Sequence, residues 1–280
     1  MEYHKNVLIT GAASGLGKAM TLGLLQAGYH VCGVDRDEKA LDDLAKSTNG
    51  RLKTRVANLA DPSVTSLIGD IEDSFGPIGI LINNAGVGQG AWRKDYHVNK
   101  LRFYEMTKAQ WETAVSVNAT AVFVLSRDAA LRMMTQGWGR IVNVTTSLGT
   151  MLRPGWVPYG PSKAAAEALS ACMAGDLEGT GVTVNVMTPG GIANTGLIPE
   201  AAPYDRDKLI QPEVMIPPLL WLLSDSAAET TGMRIVASSW DRSLPCEAAA
   251  SRALAPIGWR DLAVMPITPE VVETASVGEV

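Results

Sequence analysis

Short apolar runs rich in β-branched residues alternate along this chain with longer stretches in which apolar residues recur every three or four positions. Residues 6–10 (NVLIT) form the first run, closed by Gly11, and Leu16, Met20, Leu24 and Ala27 then share one face of a helix over about 15–27. The pattern continues with a strand over 30–34, a polar helix over 38–47, a strand near 52–57, a helix over 63–75 and a strand over 78–82. A helix over about 108–136, a strand over 140–144, an Ala-rich helix over 159–178 and a strand over 182–187 follow. A helix over 212–224, with Pro212 in its first turn, and a strand over 233–237 end the series. Strands alternating with helices make a parallel sheet covered on both faces, because each parallel connection must cross over the sheet. One doubly wound α/β domain over residues 1–241, with about seven parallel strands, is therefore expected.

Two segments break this rhythm. Residues 87–107 carry Trp92, Tyr96, His97, Phe103 and Tyr104 without a clear period. Connections longer than about 15 residues are usually functional or mobile, so this insertion is expected to wall a pocket, or else to pack its aromatics on the protein's own surface or on a neighbouring subunit. Residues 242–280 hold Pro245, Pro256, Pro266 and Pro269 and show no period, which predicts an irregular tail.

Composition narrows the function. Of the 280 residues, 46% are hydrophobic and 19% charged, which supplies a sizeable core and excludes disorder for most of the chain. Lys plus Arg number 24 against 29 Asp plus Glu, a net charge of −5 with no basic stripe, so nucleic acid is not an expected partner. Cys32, Cys172 and Cys246 lie far apart in no CxxC spacing, and His4, His30 and His97 are dispersed, so neither a disulfide framework nor a metal site is expected. Residues 1–10 lack a leader-like pattern, and the longest candidate span, 215–223, is about half of a membrane helix. A cytoplasmic protein with no membrane partner is the expectation.

The chemistry starts at the first turn. Thr10-Gly-Ala-Ala-Ser-Gly-Leu-Gly17 joins the first strand to the first helix, where unpaired N–H groups and partial positive charge suit a pyrophosphate. Gly11, Ser14, Gly15, Leu16 and Gly17 are thus candidate dinucleotide contacts, although the spacing is GxxxGxG rather than GxGxxG. Asp35 ends the second strand, 18 residues beyond Gly17, where a carboxylate can accept hydrogen bonds from an adenosine ribose. A 2′-phosphate there would meet a like charge, at a cost of a few kcal/mol for an effective dielectric of about 20, so NAD is favoured over NADP. Arg36 could offset part of that repulsion, and the lesser alternative is that Asp35 is only a turn residue. Tyr159 and Lys163, four apart, share a helix face, where an ammonium would favour the tyrosinate and make Tyr159 a usable acid or base.

TGAASGLG at 10–17, NNAG at 83–86, Asn118, Tyr159-Gly-Pro-Ser-Lys163 and Pro189-Gly190 together resemble the short-chain dehydrogenase/reductase family in order and spacing, over about residues 5–241. The resemblance implies a Rossmann fold and hydride transfer between a nicotinamide and a secondary alcohol or ketone. It also implies that Lys163 holds the nicotinamide ribose and that Asn118 supports a water in a proton relay, though Asn118 could instead be a buried polar residue of its helix. Asn84, Ala85 and Gly86 would pack beside the adenosine, Asn58 and Leu59 beside the adenine, and Pro189, Gly190, Ile192 and Thr195 beside the nicotinamide. The family's catalytic serine is replaced: Thr146 stands 13 residues before Tyr159, with Ser147 next to it. Neighbouring strand residues point oppositely, so Thr146 is expected to meet the substrate oxygen. Trp92, Ser147, Trp156 and Tyr159, with Met151 and Leu152 and a loop over 191–210, would line a cleft for an apolar, cyclic or aromatic alcohol or ketone. Arg153 could meet an anionic group. The small face of Ala164, Ala165, Ala168 and Ala171 implies by resemblance a homodimer or homotetramer interface, or else covers the parent sheet. Two other readings compete: an NADPH-dependent 3-oxoacyl-thioester reductase, and a dinucleotide-binding regulator whose catalysis has lapsed.

Overall fold

The computed structural model describes residues 2–200 and 202–262. Among them, eight strands form one sheet in the order β3-β2-β1-β4-β5-β6-β7-β8. The left half is β1 (Asn6–Thr10), β2 (His30–Asp35) and β3 (Leu52–Val56), linked by α1 (Gly15–Gln26) and α2 (Glu38–Ser47). After α3 (Leu67–Phe75) the chain returns to the middle as β4 (Ile80–Asn83), so the winding reverses between β1 and β4, and the carboxyl ends of the strands open into a crevice there. Strands β5 (Gly139–Val144), β6 (Val182–Thr188) and β7 (Met233–Val236) extend the sheet in parallel.

The period-two alternation of the central strands explains both cores. Val7 and Ile9 of β1, Ile80 and Ile82 of β4, and Val142 and Val144 of β5 enter one layer with Met20 and Leu24 of α1 and Leu219 and Trp221. The intervening Leu8, Leu81 and Ile141 enter the opposite layer with Leu67 and Ile68 of α3 and Leu125 and Met133. Strands buried on both faces read as continuous apolar runs, which is why these segments carry no polar alternation.

Residues 108–136 form one continuous helix: α4 (Lys108–Val115), a π turn over Ser116–Thr120, and α5 (Ala121–Gln136). Its length and composition would let it cross a membrane, but Ala121, Leu125, Ala129 and Met133 pack it against the sheet as a core helix. Buried Asn83 donates to Ser126 at 3.0 Å and to Asn143 at 2.8 Å, and Asn143 donates to Ser170 at 2.9 Å, a polar ladder that pins this helix and α7 (Tyr159–Asp176) to the strands. A four-residue turn, α6 (Leu148–Met151), precedes α7.

Two expectations are corrected at the right-hand edge. After α8 (Ile216–Leu222) and β7, the segment expected to be irregular contains α9 (Cys246–Ala253) and an eighth strand, β8 (Leu254–Pro256). This strand runs antiparallel to β7, so the sheet is not wholly parallel. Ala249, Ala250 and Ala253 fill the core beside Trp221 and Trp240 with small side chains, whose helical spacing carries little hydrophobic contrast. Residues 263–280 lie outside the described part. The Ala-rich side of α7 does not cover the sheet: Ala165 and Ala168 are exposed, while Ala166, Ser170 and Ala174 face inward.

Candidate active site

A cleft of about 530 Å³ runs along the carboxyl ends of the strands. At its left end the glycine turn binds itself to β4. Asn84 donates through its side chain to the carbonyls of Thr10 (3.0 Å) and Gly11 (3.1 Å), and the Thr10 hydroxyl accepts from the backbone of Asn84 and Ala85 at 3.1 Å. Gly11 (φ +66°) and Gly15 (φ +51°) adopt left-handed backbone that favours glycine. A Cβ on Gly11 would lie 2.9 Å from the Ala85 Cα, one on Gly15 2.9 Å from Thr195, and one on Gly17 would collide with the Gly11 carbonyl. The turn is thus a bare-backbone cradle at the α1 N-terminus, the feature a pyrophosphate needs. Gly17 shapes this cradle from behind and does not line the cleft; nor does Gly190, whose added Cβ would collide with Ser238.

Asp35 lies beside the cradle. Its carboxylate accepts from the backbone N–H groups of Ala13 (3.0 Å), Arg36 (2.8 Å) and Asp37 (3.2 Å), which fixes its orientation toward the turn. Arg36, Asn58 and Leu59 line the same end, Ala85 and Gly86 the middle, and Pro189, Ile192 and Thr195 the far wall. The expected dinucleotide contacts therefore converge, with the two glycine exceptions just given.

In the reacting region, Tyr159 opens α7, and its phenol shares the cleft with Thr146, which follows β5 by two residues. Burial pushes the phenol above its ordinary value, while the Thr146 hydroxyl, able to donate to a phenolate, pulls it back. Thr145 points the other way and donates to Glu167 at 2.7 Å. The Ser147 hydroxyl is spent at the start of α6, 2.6 Å from the Thr150 hydroxyl and accepting from the Thr150 N–H at 3.3 Å.

Lys163 lies one turn further along α7. Its ammonium donates to the Val144 carbonyl at 2.8 Å, and burial draws it down to about 8. Both groups line the cleft, and burial keeps the phenol raised. Asn118 does not line the cleft itself. Fully buried in the π turn, it accepts from the Val87 N–H at 2.8 Å and donates to the Val87 carbonyl (3.0 Å) and the Ser162 hydroxyl (2.9 Å). Its amide clamps the loop that follows Gly86, and one added Cβ on Gly86 would touch both Asn118 Oδ1 and Lys163 Nζ at 3.3 Å.

The insertion walls the cleft as expected, but through different residues. Trp92 is outside it, Leu152 points to solvent and Met151 is buried elsewhere. Tyr96, His97 and Lys100 line it instead, opposite Trp156, Arg153 and Tyr204. Their rings touch in series: Tyr96 to Trp156 at 5.9 Å, Trp156 to Tyr159 at 5.9 Å, and His97 to Tyr204 at 6.4 Å between centroids. Arg206 fixes the loop over 191–210 by donating to Asn194 and to the carbonyls of Thr195, Ile198 and Pro199. Lys100 and Tyr204 carried no sequence signal, because neither segment has a period from which to read a side chain's direction.

With this geometry in place, the comparisons agree. The profile of the short chain dehydrogenase family matches residues 5–203. The chain is 31% identical over 243 residues to 3-oxoacyl-(acyl-carrier-protein) reductase of Thermotoga maritima, covering 82% of this chain and 95% of that protein. Among solved structures, one from Beutenbergia cavernae with NADP bound at low occupancy, described as an NAD(P)-dependent gluconate 5-dehydrogenase, superposes with a TM-score of 0.70 at 28% identity, covering 82% of this chain and 93% of its own. A 4-hydroxyisoleucine dehydrogenase complexed with NADH gives 0.71 at 26%, covering 81% and 94%. The chain belongs to the short-chain dehydrogenase family, and is an NAD(P)-dependent oxidoreductase.

Proposed function

We propose that this enzyme transfers hydride between NAD and a secondary alcohol or ketone of apolar, cyclic or aromatic character. The observation that carries the reading is the Thr146–Tyr159 pair set beside a bare glycine cradle in one cleft, with an aromatic wall opposite. The cradle and Asp35 would hold the dinucleotide, which supplies or accepts the hydride when bound. Thr146 holds the substrate oxygen by its hydroxyl, and Tyr159 gives that oxygen a proton in reduction or takes one in oxidation. Lys163, drawn down to about 8 and so still largely cationic at neutral pH, sets a positive charge beneath this centre. Asn118 keeps the wall at Val87 in place.

Asp35 supports NAD over NADP, because its oriented carboxylate would repel a 2′-phosphate. A second reading, the NADPH-dependent 3-oxoacyl-thioester reductase, draws on Arg36 at the ribose end and on Lys100 and Arg153 at the substrate end, where the phosphates of a carrier would find cations. Titration of tryptophan-sensitised NADH and NADPH fluorescence separates the two. NADH binding about tenfold tighter or more is expected from one like-charge contact; a preference for NADPH makes Arg36 dominant and promotes the thioester reading. We place the enzyme in the cytoplasm, consistent with three free cysteines, and as a homodimer or homotetramer joined through the exposed face of α7.

A further inference from the structure

Below the catalytic loop lies a buried ion pair that the chemistry above does not use. Glu167 is 0% and Arg234 5% exposed at the side chain. Glu167 follows Tyr159 by eight and Lys163 by four residues, so the three share a face of α7. Its carboxylate accepts from Arg234 Nε (2.9 Å), Arg234 Nη2 (3.2 Å), the Thr145 hydroxyl (2.7 Å) and the Gly258 N–H (3.1 Å). Arg234 Nη2 also donates to the backbone carbonyl of Thr146 at 2.7 Å and lies 3.3 Å from the Thr145 hydroxyl.

Removing two charges from water costs about as much as their attraction returns, and a packed apolar pair would hold β7 to α7 equally well. An apolar pair could not donate to the Thr146 carbonyl. We propose that Glu167 and Arg234 are positioning residues: together they fix the backbone at Thr146 so that its hydroxyl stands against the Tyr159 phenol. Thr145 is held by its side chain and Thr146 by its carbonyl, which leaves the Thr146 hydroxyl to face the cleft and the Tyr159 phenol. The Gly258 bond brings the segment after β8 into the same anchorage. The proposal rests on the role assigned to Thr146 above.

The test is the alkaline absorbance titration of the Tyr159 phenol, taken as the difference between each protein and its Tyr159→Phe counterpart, together with steady-state kinetics. Arg234→Lys keeps the charge opposite Glu167 but loses the planar fork that reaches Thr146. It is expected to raise the phenol pKa in the same direction as Thr146→Val, and to lower kcat about tenfold with little change in substrate KM or NADH affinity. Adding Arg234→Lys to Thr146→Val should give no further shift and no further loss. The other groups facing Tyr159, namely Tyr96 and Lys163, are kept in every variant. Independent, additive effects, or an Arg234→Lys protein with unchanged titration and kcat, overturn the proposal and leave the pair a packing element. Glu167→Gln, nearly isosteric, is the second variant should Arg234→Lys not fold by circular dichroism, and the same shift is expected of it. Because the titration needs no turnover, a wild-type protein inactive on every alcohol and ketone tried counts against the functional reading alone.

Discussion

Two adjacent hydroxyls, Thr146 and Ser147, have separate employment: one meets the Tyr159 phenol, the other caps a helical turn. We expect Thr146→Val to cost about a hundredfold in kcat, the scale of a lost donor at a developing oxyanion, and Ser147→Ala to stay within about threefold. Since Thr146 also pulls the phenol down, Thr146→Val should move the rising limb of the oxidation pH profile to higher pH; equal losses in both variants would show that the loop register is wrong. Lys163 gives a second residue-level test. Its folded value, about 8, is below the ordinary 10.5, so the unfolded chain binds more protons between those values and stability must rise with pH across that window. Guanidinium melts at pH 7.5 and 10.5 should therefore show a gain of about 3 kcal/mol in the wild type over the same gain in Lys163→Met. Parallel curves would mean that the ammonium is not desolvated. Tyr159, Lys163, Asp35 and the glycines were legible from the sequence because their spacing is local. The direction of the Lys163 ammonium was not, since its acceptor is the carbonyl at the end of a different strand.

Elements show the same division. The central strands announce themselves as apolar runs, and the longer helices by their period, so the succession of β1 to β7 with α1, α2, α3, one helix for α4 and α5, α7 and α8 between them follows from the chain, while the four-residue α6 does not. β8 does not: three residues ending in Pro256 carry no pattern, and their place is set by the free edge of β7. Asn118 was legible as a site residue by position, yet the π turn that turns its amide onto Val87 lies inside a stretch whose sequence reads as one regular helix. In the insertion, the aromatic content marked a wall, but only packing decides that Tyr96 and His97 face the cleft and Trp92 does not. The glycine turn yields the element-scale prediction. Gly17→Ala must push α1 away from the Gly11 carbonyl, a backbone group that cannot rotate aside, so NADH affinity should fall by about tenfold or more while far-ultraviolet circular dichroism is retained. Unchanged affinity in the fluorescence titration would remove the cradle from its role.

At the scale of the whole molecule, one sheet gathers groups that lie far apart in sequence: a turn near residue 11, an insertion near 97, a threonine at 146 and a loop near 204 meet along a single row of strand ends. The crevice exists because the winding reverses between β1 and β4. The last described segment contributes from behind, its Gly258 bonded to the Glu167 carboxylate that also holds Thr145. With an acidic chain of net charge −5, the cations of the substrate end, Lys100 and Arg153, stand out locally and keep the thioester reading in contention until cofactor preference is measured. The most direct test of the whole account is NADH consumption at 340 nm with a panel of cyclic and aryl ketones, comparing the wild type with Tyr159→Phe at matched cofactor saturation. The account predicts turnover by the wild type and a loss of about a thousandfold or more in Tyr159→Phe, with NADH binding within about twofold. A Tyr159→Phe enzyme that keeps its turnover would contradict it, for the proton would then come from some other group.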